Sequence, residues 1–156
     1  FACYVAALPA ALDNPQSRVL PGVRTLLAAL TNRGDTAQGL LTGNMRVGAR
    51  AKLEHHQLWS TFAFGAFADD SEHRNELGPH ALRRAREHHG VEFRPDQTWI
   101  IGDTPHDIAC GRAIGAHTLA VATGNSTLEE LQRHGPTVAV ADLSDTAAIV
   151  RLLTEG

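Results

Sequence analysis

Short apolar runs alternate with longer stretches in which apolar residues recur every three or four positions. The short runs have the length of buried strands, and the longer stretches have the period of amphipathic helices. The predicted strands cover residues 37–42, 62–68, 98–103, 117–122 and 137–141. The predicted helices lie near residues 21–33, 45–57, 76–89, 105–114, 127–134 and 145–154. This alternation predicts an α/β fold with a parallel sheet between two layers of helices.

The first twelve residues have the spacing of another helix. Their apolar positions are Phe1, Val5, Leu8 and Leu12, and the sequence Asp13-Asn14-Pro15 would end the helix. A linker with two prolines then leads to Pro21-Gly22. We therefore expect residues 2–12 to be helical and residues 14–21 to be a connection.

Two aspartates follow the most apolar of the predicted strands. Trp99-Ile100-Ile101-Gly102 leads to Asp103, and Thr104-Pro105 has the residue types of a helix start, which places Asp107 in the first helical turn. The mouth of a strand-to-helix turn is where open α/β sheets bind ligands. Two carboxylates there would repel each other unless a hard cation such as Mg²⁺ lay between them. The alternative is structural, with one aspartate capping the helix and the other in solvent.

Two further segments have groups that suit a phosphate. Thr42-Gly43-Asn44 joins a strand to a helix, so its backbone N–H groups and the threonine hydroxyl are possible donors, although an ordinary turn explains the same sequence. Arg74 lies in a charged loop before the next helix, where a guanidinium could contact a phosphate or a carboxylate. The pairs His55-His56 and His88-His89 resemble metal ligands, but adjacent helical side chains point in different directions and cannot bind one ion together. We therefore interpret both pairs as solvated.

Composition excludes several classes of protein. The 156 residues carry a formal net charge of −3, which gives no electrostatic support for binding nucleic acid or an anionic membrane. No apolar run is long enough for a membrane span. Cys3 and Cys110 are the two cysteines and stand in unlike contexts, so we expect no disulfide framework and a cytoplasmic location.

Taken together, these motifs resemble the haloacid dehalogenase (HAD) superfamily, and its phosphoglycolate-phosphatase-like members in particular. The resemblance rests on Leu40-Leu-Thr-Gly-Asn44, a basic residue, Ile100-Ile-Gly-Asp-Thr-Pro-His-Asp107 and the segment 115–124, in that order. It implies a three-layer, Rossmann-like core and hydrolysis of a small phosphorylated metabolite. It also implies that Asp103 and Asp107 bind Mg²⁺, that Thr42, Gly43 and Asn44 hold the phosphoryl group, and that Arg74 takes the place of a catalytic lysine.

The sequence departs from that family in one respect. The family's nucleophile lies in an Asp-x-Asp-x-Thr motif after a central strand, and no Asp-x-Asp occurs here. We therefore expect residues 1–18 to be the remnant of a helical cap with its linker, residues 19–156 to be a core without its first strand, and this chain alone to be inactive. An unpaired slot would then separate strands 37–42 and 98–103, which would stand roughly 10 Å apart.

Two other functions remain open from the sequence. One is a metal-free haloacid dehalogenase, which the paired aspartates disfavour because expulsion of a halide has little need of a cation. The other is a non-catalytic phosphate- or nucleotide-binding α/β domain, although neither Gly-x-Gly-x-x-Gly nor Gly-x-x-x-x-Gly-Lys occurs.

Overall fold

A computed structural model of the chain describes residues 2–7 and 18–155. Six parallel strands form one sheet in the order β3-β2-β1-β4-β5-β6. The strands are β1 (Ala2–Ala7), β2 (Thr36–Leu41), β3 (Phe64–Ala66), β4 (Thr98–Gly102), β5 (His117–Val121) and β6 (Val138–Val140). The helices are α1 (Val23–Arg33), α2 (Arg46–His55), α3 (Arg74–His89), α4 (Pro105–Ala113), α5 (Leu128–Arg133) and α6 (Thr146–Glu155).

The helices cover both faces of the sheet, as the alternating pattern predicts. One face carries α3, α4 and α5, with a core formed by residues such as Leu77, Ile100 and Leu131. The other face carries α1, α2 and α6, with a core that includes Leu30, Ile101 and Leu153. Successive residues of β4 supply opposite faces, because side chains alternate along a strand. The predicted three-layer α/β class is confirmed.

The prediction for the beginning of the chain is wrong. Residues 2–7 form β1 rather than a helix, and β1 pairs with β2 on one side and β4 on the other. The expected slot between β2 and β4 is therefore filled. Ala-Cys-Tyr-Val-Ala-Ala is apolar throughout, and a run this short suits a buried strand as well as a helix. Two strand edges that would otherwise lack partners favour the strand. The rest of the predicted helix, residues 8–12, lies outside the described residues.

The strand order places a crevice beside β4. β1 is followed on one side by β2 and β3 and on the other by β4, β5 and β6, so the winding direction reverses between β1 and β4. Ligands of open α/β sheets bind at this reversal point, outside the carboxyl ends of the strands. Asp103 directly follows β4 and so lies at that position. No described helix combines the length and apolar character that crossing a membrane requires.

Candidate active site

The turn from β4 to α4 holds the two aspartates close to each other. Thr104 caps α4, and its backbone N–H and hydroxyl both donate to Oδ2 of Asp107, at 3.1 and 2.8 Å. The backbone N–H of Asp107 returns to the Thr104 hydroxyl at 3.4 Å, which completes a capping box. The start of α4 is therefore fixed by the side chain of Asp107, which is almost fully buried.

Gly102 allows this arrangement because it has no side chain. A Cβ atom at residue 102 would lie 2.3 Å from Cγ of Asp107, a separation that real side chains do not tolerate. Gly124, after β5, approaches the other aspartate in the same way. A Cβ atom there would lie 1.9 Å from Oδ2 of Asp103. Two glycines thus leave room for the two carboxylates.

Asp103 is a buried acid in an unfavourable setting. Burial raises the pKa of its carboxyl, and the neighbouring charge of Asp107 raises it further. A hydrogen bond from its own backbone N–H and the charge of Arg74 oppose this shift without cancelling it. The carboxylate form of Asp103 is therefore disfavoured mainly by its burial, and a nearby cation would favour it.

Arg74 connects the aspartates to the turn after β2. It is the first residue of α3, and its guanidinium donates to Oδ1 of Asp107 in an ion pair. Its other terminal nitrogen, Nη1, lies 3.3 Å from where a Cβ atom of Gly43 would be. Arg74 therefore stands between Asp107 and the Thr42-Gly43-Asn44 turn, on the same rim of the sheet as Asp103.

The Thr42-Gly43-Asn44 turn is tied to its own side chains and to the next strand. The Thr42 hydroxyl accepts hydrogen bonds from both the backbone N–H and the side-chain amide of Asn44, each at 3.1 Å. The Thr42 backbone N–H donates to the Ala66 carbonyl, and the Asn44 carbonyl accepts from the Ala68 N–H. Gly43 is exposed, so the middle of the turn faces solvent.

The segment after β3 contributes residues that the sequence analysis did not single out. Asp69 accepts a hydrogen bond from the Arg46 backbone N–H, and Asp70 pairs with Arg84. A signal was present, because two acids follow a predicted strand and an arginine recurs in the next helix. It is a weak signal, since charged loops and helical arginines are usually solvated.

The histidine pairs do not gather into a site. His89 is half-buried, and its ring packs edge-on against Phe64 and Phe93. The interpretation of this residue as solvated is therefore wrong. Burial lowers the pKa of His89, and the neighbouring His88 lowers it further. Residue 89 is turned toward the sheet because α3 packs its inner face there. His55, His56 and His88 lie near the ends of α2 and α3, away from the aspartates.

The carboxylates of Asp103 and Asp107 are compatible with Mg²⁺, which needs few protein ligands. Among residues 2–7 and 18–155, no three His, Cys, Asp or Glu side chains are placed to hold a metal ion together. Mg²⁺ often binds through one or two carboxylates and keeps several waters, so a dense cluster is not required. Both oxygens of Asp107 already accept hydrogen bonds, whereas burial and the charge of Asp107 raise the pKa of Asp103. The residues fit a cation held mainly by Asp103, with Asp107 behind it.

Comparison with known proteins finds a family model that matches part of the chain. A family model described as HAD-hydrolase-like matches residues 74–146, the segment that contains Arg74, Asp103 and Asp107. Residues 74–146 are therefore similar to the haloacid dehalogenase-like hydrolases. This match agrees with the resemblance that the motifs indicate.

Curated relatives of this chain include proteins named as phosphatases. The chain is 30% identical over 145 residues to "Probable phosphatase IndB" of Dickeya dadantii, a match that covers 91% of this chain and 60% of that protein. It is 28% identical over 112 residues to "Pyrophosphatase PpaX" of Anoxybacillus flavithermus, covering 72% and 51%. The chain thus spans about half to three fifths of the length of these relatives.

Solved structures share the fold. A haloacid dehalogenase-like family hydrolase from Streptococcus pneumoniae superposes with a TM-score of 0.73 at 19% identity, covering 85% of this chain and 60% of that one. A structure titled as a predicted phosphoglycolate phosphatase, from Haemophilus somnus, gives 0.72 at 20% identity, covering 89% and 60%. At these identities the likeness establishes the shared α/β fold.

Proposed function

We propose that this protein is a Mg²⁺-dependent phosphatase that hydrolyses a small phosphate monoester. The observation that carries the proposal is the buried Asp103, which lies at the reversal point of the sheet beside Asp107 and Arg74. The names of the curated relatives support the same activity. Substrates with a phosphoryl group would bring the negative charge that a site with a cation and an arginine can hold.

Each predicted residue has a part in this proposal. Asp103 would hold Mg²⁺, which supplies charge neutralisation for the phosphoryl oxygens. Asp107 would support the site by fixing the start of α4 and the guanidinium of Arg74. Arg74 would bind the phosphoryl group as a charged donor, and Thr42, Gly43 and Asn44 would hold its oxygens through the exposed middle of their turn.

The replacement of a lysine by Arg74 changes the geometry of the site. A lysine ammonium is a compact point charge, whereas a guanidinium is planar and can donate to two partners at once. Arg74 can therefore keep its contact with Asp107 through one terminal nitrogen while the other, near Gly43, contacts a phosphoryl oxygen. This division of donors is the role we assign to it.

The proposed reaction also needs a nucleophile, which Asp103, Asp107, Arg74 and the Thr42-Gly43-Asn44 turn do not supply. Phosphatases of this family form an aspartyl-phosphate that water then hydrolyses. The sequence has no Asp-x-Asp, and the five residues after β1, Leu8 to Leu12, include no carboxylate. We therefore propose that the 156-residue chain alone binds phosphate without turning over a monoester.

A screen of small phosphate monoesters tests the proposal. It would use the 156-residue chain and the protein in its longest natural form, each with Mg²⁺ and with EDTA, and would include 2-haloacids. We expect Mg²⁺-dependent phosphate release by a form that includes an Asp-x-Asp-x-Thr motif and none by the 156-residue chain. Release of halide, or phosphate release that EDTA leaves unchanged, would overturn the proposal.

A second candidate is a non-catalytic phosphate-binding domain, which the lack of an Asp-x-Asp motif favours. The two candidates differ in the longest natural form. If that form binds inorganic phosphate with Mg²⁺ but hydrolyses none of the monoesters, the binding function replaces the enzymatic one.

A further inference from the structure

We propose that Asp69 is a positioning residue for the Thr42-Gly43-Asn44 turn. The Asp69 carboxylate accepts a hydrogen bond from the backbone N–H of Arg46 at 2.5 Å, in the first turn of α2. Met45, the N-cap residue of α2, gives no side-chain cap of its own. Asp69 thus caps α2 from the turn after β3, 23 residues further along the chain. This inference rests on the proposed phosphate-binding role of the turn.

The segment that presents Asp69 is firmly held. The Asp70 carboxylate accepts from the Phe67 N–H at 2.9 Å, and the Asp70 N–H returns to the Phe67 carbonyl at 2.9 Å. Arg84 of α3 donates to both oxygens of Asp70, each at 2.6 Å, and to the Gly65 carbonyl at 2.7 Å. The turn from Phe67 to Asp70 therefore has a fixed shape, and Asp69 projects from it at a fixed place.

Hydrogen bonds join both ends of the Thr42-Gly43-Asn44 turn to the segment after β3. At the start of the turn, the Thr42 N–H donates to the Ala66 carbonyl at 3.1 Å, and at its end the Ala68 N–H donates to the Asn44 carbonyl at 3.0 Å. Asp69 adds the contact beyond the turn, at Arg46. Gly43 lies between these points and is exposed, so the anchored segment determines where its N–H points.

The charge of Asp69 makes this proposal unexpected on electrostatic grounds. A carboxylate near an anion site weakens anion binding, so its removal should by itself tighten phosphate binding. If Asp69 positions the turn through its hydrogen bond, its removal should weaken phosphate binding instead. The two effects have opposite signs, which allows an experiment to separate them.

The test compares Asp69→Ala with Asp69→Asn in the 156-residue chain. Both variants remove the charge, but asparagine keeps an acceptor and is as good a helix cap as aspartate. We expect Asp69→Ala to weaken binding of inorganic phosphate in Mg²⁺ by about fivefold, and Asp69→Asn to bind at least as tightly as the wild type. Calorimetry or phosphorus NMR would give the dissociation constants. Asp96→Asn, in an exposed aspartate–arginine pair before β4, is the matched control.

Amide hydrogen exchange provides a readout that needs no ligand. Asp69→Ala should speed exchange of the Arg46 N–H by about tenfold while amides of β4 keep their rates, and Asp69→Asn should restore protection. Unchanged phosphate affinity in Asp69→Ala, despite faster exchange at Arg46, would overturn the positioning role. If the wild type binds no phosphate although its Arg46 N–H is protected by Asp69, the phosphate role of the turn fails, and the positioning proposal fails with it.

Discussion

The guanidinium of Arg74 forms an ion pair with the carboxylate of Asp107, 33 residues further along the chain. The pair joins the first residue of α3 to the first turn of α4. Asp107 has 3% of its side chain exposed, so its charge depends on nearby donors rather than on water. The contact is therefore both a structural bond and a part of the candidate active site.

Replacement of Arg74 should destabilise the chain. Arg74→Gln would leave a buried carboxylate without its cation, although Thr104 would still donate to it. We expect a loss of about 1–3 kcal/mol in the free energy of unfolding, measured by urea denaturation. Arg94→Gln, which breaks the exposed pair with Asp96, is the control and should cost about 0.5 kcal/mol or less. Equal losses in the two variants would contradict the importance of burial at Asp107.

The Asp70–Arg84 pair should make stability depend on pH. The hydrogen bonds from Arg84 hold the pKa of Asp70 below its usual value of 3.8. The stabilisation is fully present above the pKa of Asp70 in the unfolded chain, 3.8. It is lost as the pH falls through the lower pKa of Asp70 in the folded chain. The difference in unfolding free energy between the wild type and Asp70→Asn should therefore shrink as the solution is acidified below that pH.

The control for this pH dependence is Asp35→Asn. Arg33 also lowers the pKa of Asp35, but that pair is exposed and screened by water. Chemical denaturation at several pH values from neutral to about pH 3 would compare the two variants. A difference between wild type and Asp70→Asn that stays constant over this range would show that Asp70 acts without its charge.

Mg²⁺ should stabilise the wild-type chain and not an Asp103 variant. A cation that binds only the folded state raises the melting temperature with its concentration. Asp103→Asn removes a buried negative charge that the charge of Asp107 repels. Without metal, the free energy of unfolding of this variant should therefore equal that of the wild type or exceed it by up to about 1 kcal/mol. Thermal unfolding with Mg²⁺ and with EDTA checks both statements. A melting temperature that rises equally with Mg²⁺ in both proteins would remove Asp103 from the metal site.

Gly124→Ala should disturb Asp103 specifically. The added Cβ would lie 1.9 Å from Oδ2 of Asp103, so the carboxylate must move. We expect a loss of about 1–3 kcal/mol in stability and a smaller response of the melting temperature to Mg²⁺. Gly48→Ala is the matched control, because nothing lies within 4 Å of the added atom in α2. It should be neutral or stabilising by up to about 1 kcal/mol. If Gly124→Ala changes stability no more than Gly48→Ala does, a Cβ atom fits beside the Asp103 carboxylate, and the expectation is wrong.

Five of the six strands and the helices could be predicted from the sequence for physical reasons that are local. Ile100 and Ile101 form a buried run, and Thr104 and Asp107 have the spacing of a capping box, so β4, its turn and α4 follow from adjacent residues. The segment 2–7 could not be predicted in this way. Its apolar residues fit two periods, and the choice depends on β2 and β4, which are distant in sequence.

The same limit applies to the candidate site. The sequence indicates that Arg74 and Asp107 carry opposite charges, but not that they meet, because their contact depends on how α3 packs on α4. The contact of Asp69 with Arg46 was even less predictable from the sequence. Its partner is a backbone N–H, which has no sequence signature, so only the three-dimensional arrangement of β2 and β3 reveals the contact.

The central place of β1 has a consequence for how the chain folds. Cys3 of β1 pairs with Ala37 of β2 and with Thr98 of β4. β1 therefore contacts two segments that lie far from it, and from each other, in the sequence. Closing such long loops costs chain entropy before the new contacts stabilise them. During synthesis residues 2–7 emerge long before Thr98, and they must stay unpaired on that side until it arrives. The pairing of β1 with β4 thus joins two segments that are made at different times.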